Sequence, residues 1–71
     1  MRLFFDVFKN QTASYDFHGC NLSSLLDATQ MAELIALDLA FSEDNDWISS
    51  QVKIRNTAGE TLCTVPVLIA I

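Results

Sequence analysis

Basic residues are scarce in this chain of 71 residues. Arg2, Lys9, Lys53 and Arg55 stand against nine acidic residues, for a net charge of −5. Nucleic-acid binding rests chiefly on Lys and Arg contacts to phosphate, so this balance argues against DNA or RNA as a partner. It makes an anionic membrane surface equally unattractive. Glycine is scarcer still: Gly19 and Gly59 lie far apart, and no Gly-rich phosphate loop exists. Two cysteines, Cys20 and Cys63, are too few for a disulfide framework. One bridge between them is conceivable, but they read as buried or half-buried thiols in a reducing cytosol. The longest terminal apolar run, VPVLIAI, is far short of the roughly 20 residues that span a bilayer. Asp6 interrupts the N-terminal apolar run and no signal-peptide core follows, so a cytoplasmic location is expected.

Chemistry-bearing groups are also few. His18 sits in a turn near Cys20 and Asp16. Imidazole beside thiol is a component of nucleophile pairs and zinc sites. A zinc site needs a second ligand pair, and a nucleophile pair needs an orienting third group and a pocket. Neither is visible. Glu43, Asp44, Asn45 and Asp46 lack the alternating oxygen ligands, the central Gly and the distant bidentate Glu of a calcium loop. No catalytic residue, metal or cofactor is therefore expected, and the chain is read as a non-enzyme.

What is present is one strong helix signal. From Ser24 to about Ser42 there is no Gly or Pro, and Leu, Ala, Met, Glu and Gln supply most positions. Ser23 or Ser24 can cap it, and Ser24 with Asp27 resembles a capping box. At 100° per residue, Leu25, Ala28, Ala32, Ile35, Ala36 and Leu39 share one side, with Met31 at its edge, and form the expected core stripe. Leu26, Leu34, Leu37 and Phe41 fall on nearly the opposite side. A helix covering one face of a sheet should have a polar back, and this one does not. The second stripe is expected to be a surface for self-association or for a protein partner.

Strands flank the helix. RLFFDVFK, residues 2–9, alternates with Leu3, Phe5 and Val7 on one side and Arg2, Phe4, Asp6 and Phe8 on the other. Two phenylalanines on the latter side predict a face that is only partly wet. A second strand is placed from about Ser14 to Phe17, broken by Gly19 as a positive-φ residue. Trp47 and Ile48 are expected to re-enter the core or cover its end. Residues 50–56 alternate cleanly, with Val52 and Ile54 inward and Lys53 and Arg55 outward. There the two cations keep a sheet face soluble, pair with nearby carboxylates, or hold an anion. Asn56 to Gly59 forms a hairpin turn, and Thr61 to about Ile69 the last strand, with Pro66 marking an edge or bulge. The expected fold is one α+β domain over residues 1–71. It is a two-layer sandwich in the order ββαββ, an antiparallel four-stranded sheet with one helix on one face.

These residues resemble a family of short proteins of unknown function from rhizobia and other alphaproteobacteria. Its members open on an aromatic strand (here RLFFDVF) and continue with an Asp-x-x-Gly-x-x-Leu step (Asp16, Gly19, Leu22). An Ala-every-fourth helix follows (Ala28, Ala32, Ala36), then a hairpin with a Gly turn and a Val-Pro (NTAGETLCTVPV). The first turn, KNQT, departs from the Gly often found there. The resemblance spans nearly the whole chain and implies the fold and a bacterial origin. All its motifs are structural, so it implies no catalytic residue. FHGCNLSSLLDA also resembles the turn-and-helix step of HicB-type antitoxins, without their Pro. That likeness implies an antitoxin-like or small-ligand-binding regulator as the alternative to a self-associating or partner-binding module.

Overall fold

The computed structural model describes residues 1–9, 12–41 and 50–68. Five strands and one helix follow one another: β1 (Arg2–Lys9), β2 (Thr12–Ser14), β3 (Cys20–Asn21), α1 (Leu25–Ala40), β4 (Gln51–Arg55) and β5 (Thr61–Pro66). The sheet is antiparallel in the order β2-β1-β4-β5, with β3 also paired to β1. The fold is α+β, with the helix over β4 and β5.

The expected second strand needs correction. Ser14 is its last residue rather than its first, and Tyr15 to Gly19 leave the sheet before the chain returns as β3. Val7 pairs with Ser14 and Leu3 with Cys20, so six steps along the outer strand span four steps of β1. The two surplus residues force the chain outward, as in an enlarged bulge. The main order holds the expected four strands, and the return of the chain adds the two-residue β3 beside β1. Gly19 turns the chain back at φ 74°.

α1 starts where the cap allows. Ser24 has extended backbone, and its Oγ accepts the Asp27 amide at 3.2 Å, satisfying one of the orphan donors of the first turn. The Asp27 carboxylate does not close a capping box; it accepts the Ser23 hydroxyl at 2.6 Å instead. Its charge still lies at the favourable end of the helix dipole. Ala28, Ala32 and Ala36 are buried and seat the helix close on the sheet. Their small volume sets the layer spacing.

Leu3, Val52, Ile54 and Val67 complete the core, with Phe5, Val7, Ile35, Leu39 and Val65 packed around it. Full burial of a Val or Ile side chain stabilises by roughly 1.5–3 kcal/mol, so Val52 and Ile54 on central β4 contribute strongly. Leu25, expected in the core stripe, is exposed at its start. β5 ends at Pro66, earlier than expected. The hairpin turn is as read: Gly59 adopts φ 85°, and Asn56 Oδ1 accepts the amides of Ala58 and Glu60. Glu43 to Asp46, Trp47 and Ile48 lie outside the described residues.

Candidate functional site

The second helix stripe is solvent-facing. Leu26, Leu34, Leu37 and Phe41 are 67, 64, 47 and 68 % exposed. Leu34, Leu37 and Phe41 are i+3, i+4 and i+7 neighbours on one face, and Leu26 shares that face beyond the exposed Gln30. Exposed Asp27 and Asp38 flank the stripe on one side and Glu33 on the other, and α1 contains no basic residue. The surface is therefore a greasy strip with an anionic rim. At its lower side Glu33, Ala36 and Leu37 face Val65, Pro66 and Leu68 across a shallow, mainly apolar groove between α1 and β5. Leu68 is itself exposed, which carries the apolar surface from the helix to the sheet edge.

The opposite face of the sheet holds a polar cluster that was only partly visible in the sequence. Asp6 is buried at 2 % exposure and bonds Arg55, whose Nε lies 2.8 Å from Asp6 Oδ2. The Asp16 amide donates to Asp6 Oδ1 at 2.9 Å, and Arg55 Nη2 donates to the Asp16 carbonyl at 3.1 Å. Where the outer strand has left the sheet, the Asp16 side chain takes over its work. Its Oδ2 accepts the Phe5 amide at 3.2 Å, and its Oδ1 accepts the His18 and Gly19 amides at 3.1 Å each. Burial pushes the Asp16 carboxyl up, but the amides of Gly19, Phe5 and His18 together outweigh it and hold the group below its ordinary range. The bond from Asp6 raises the Arg55 guanidinium further, so it stays charged throughout.

Aromatic rings complete this face. Phe4 meets two guanidinium groups, with Arg55 at 4.5 Å and Arg2 at 6.0 Å from its centroid. Lys53 Nζ sits 4.6 Å from the Phe8 centroid, and Phe8 meets Tyr15 edge to face. Arg2 also donates to the His18 carbonyl. Three of the four basic residues are thus committed to structural contacts on one face. The alternation of RLFFDVFK and of QVKIR placed these groups there. The lid made by Asp16 had no sequence signal beyond Asp preceding a Gly turn.

His18 and Cys20 stay near the same turn. His18 is exposed and contributes its backbone to Asp16 and Arg2, while the half-buried Cys20 thiol points to the Asn21 carbonyl at 3.9 Å. Cys20 and Cys63 are both free and half-buried. Among the described residues, no three His, Cys, Asp or Glu side chains are grouped to hold a metal ion. No described helix is long and apolar enough to cross a membrane.

No curated protein and no solved structure matches this chain significantly. A family model does match, over residues 2–68, described as a domain of unknown function, DUF6894. The matched span takes in all five strands, α1, the exposed stripe and the Asp16 lid. The chain belongs to the DUF6894 family.

Proposed function

We propose that this protein is a non-enzymatic self-association module whose contact surface is built on Leu26, Leu34, Leu37 and Phe41. One observation carries the reading: four large apolar side chains stand exposed on one side of α1 and its C-cap, with Leu68 exposed at the sheet edge nearby. Clusters of exposed apolar side chains such as Leu34, Leu37 and Phe41 mark contact surfaces more often than scattered single residues do, and only Gln30 and Glu33 break up the stripe. Among the described residues the alanine side of α1 supplies the seat on the sheet, and the stripe on its other side stays exposed.

Sedimentation velocity as a function of concentration tests the proposal. The wild-type chain is expected to sediment as an oligomer that dissociates on dilution. Leu37→Asp places a charge in the middle of the stripe and is expected to yield a folded monomer. A wild-type monomer at every concentration would remove the proposal, as would a Leu37→Asp protein that associates like the wild type.

A further inference from the structure

Among the described residues, the outer edge of β5 is unpaired, since β5 stands last in the order β2-β1-β4-β5. Its hydrogen-bonding direction can be assigned. Opposed residues in an antiparallel pair alternate between those that exchange hydrogen bonds and those that do not. The Val67 amide donates to the Ser50 carbonyl at 2.9 Å. Val52 lies opposite Val65 and Ile54 opposite Cys63. The amides of Val67, Val65 and Cys63 therefore point at β4, and the N–H and C=O of Thr64 point outward. Pro66, at the next outward position, has no N–H to leave bare, which is where an edge strand tolerates proline. The residues of β5, TLCTVP, carry no charge, so the edge has none of the Lys or Glu guards that usually block pairing.

We propose that a second copy of this chain pairs with this edge, β5 antiparallel to β5 about a two-fold axis at Thr64. The two Thr64 residues then exchange N–H to C=O bonds. Leu62 meets Pro66 of the other copy on the outer face, and Cys63 meets Val65 on the inner one. This inference rests on the self-association reading and fixes its geometry.

The helix layer supports the same arrangement. Neighbouring strands are about 4.8 Å apart, and α1 lies over β4 and β5. Edge pairing would therefore set the two α1 axes about 10 Å apart. Helices in direct contact lie roughly 8–10 Å apart. The groove between α1 and β5, with Glu33 and Leu37 on its helix side, opens on this edge, so these two side chains stand at the seam between the helices. Direct stacking of stripe on stripe is less suitable. It would bring the Asp27, Asp38 and Glu33 rims of two copies together with no cation on either helix, whereas edge pairing brings only Glu33 to the seam.

Amide hydrogen exchange on the wild-type protein, read residue by residue up to about 1 mM, tests the edge directly. Sedimentation on the same samples gives the oligomeric state. The expected result is a dimer in which the Thr64 amide exchanges at least about tenfold more slowly than in dilute monomer. Thr64→Pro, which removes only an outward donor, should then be monomeric. A dimer whose Thr64 amide exchanges as fast as in the monomer overturns edge pairing and leaves association through the helix stripe standing. A folded Thr64→Pro protein that dimerises as tightly as the wild type does the same. A wild-type chain that is monomeric throughout overturns both.

Discussion

Asp6 and Arg55, 49 residues apart in sequence, hold each other at 2.8 Å across the two central strands of the sheet. Asp6 is buried on a strand face that also carries Phe4 and Phe8, and it accepts the Asp16 amide as well. The pair ties β1, β4 and the 15–19 excursion into one unit. Its main value is that both oxygens of the buried Asp6 carboxylate have a partner, since a buried acceptor left alone is expensive.

Asp6→Asn keeps the shape and removes the charge. It should destabilise the fold by about 1–3 kcal/mol, read as a lower urea midpoint with an unchanged m-value. An effect below about 0.5 kcal/mol would show that solvent compensates for the lost carboxylate.

Asp16 predicts an acid-sensitive lid. Its carboxyl is held below the ordinary value of 3.8, so the folded state prefers it ionised. That contribution is fully present above the unfolded-state value and is lost as pH falls through the lower folded-state value. Asp16→Asn should therefore be less stable than wild type near neutrality, and the gap should narrow below about pH 4. Urea unfolding at several pH values checks this; a gap that widens in acid would contradict it.

Gly19 and Gly59 both adopt positive φ but differ in their surroundings. A Cβ on Gly19 would stand 2.9 Å from Phe4 Cε1 and 3.1 Å from the Leu3 carbonyl oxygen, whereas one on Gly59 meets nothing within 4 Å. Gly59→Ala should cost about 1 kcal/mol, the backbone penalty alone. Gly19→Ala should cost about 2–4 kcal/mol, because Phe4 is held by Arg2 and Arg55 and cannot swing away freely. Thermal melts of the two variants compare them, and Phe4→Leu should recover part of the Gly19→Ala loss.

The alanine seat makes α1 intolerant of bulk. Ala32 is fully buried, and Ala32→Leu should destabilise by about 2–3 kcal/mol because the helix must lift from β4 and β5. Ala40→Leu, on the half-buried final turn, should change stability much less. Equal melting temperatures for the two would refute a tight helix–sheet contact.

Much of this architecture was legible in residue patterns. The alternation of Val52 and Ile54 with Lys53 and Arg55 fixed β4, and Ala28, Ala32 and Ala36 fixed the buried side of α1. Ser24 and Gly59 were readable because caps and positive-φ turns demand few residue types. The excursion after Ser14 was not readable. Its cause is a side chain, Asp16, replacing backbone partners across eleven residues of sequence, and local propensity carries no trace of such a bond. Leu25 shares the angular side of the alanines but, as the first residue of α1, is left exposed. The exposed stripe was visible as surplus hydrophobicity, whereas the open edge beside it required the strand order.

The pairing of β1 with β4 has a consequence for how the chain comes into being. Phe4 lies opposite Arg55, so β1 waits for β4, about 50 residues later in the chain, before it gains its central neighbour. Loop closure over that distance must precede the contacts that reward it, and such topologies fold slowly for their size. During synthesis β1, β2 and the helix emerge with no β4 beneath them, exposing Leu3, Phe5 and the alanine face together. Folding is therefore expected to be completed only when the C-terminal hairpin leaves the ribosome, and a chain truncated before Gln51 should remain a sticky, unfolded fragment.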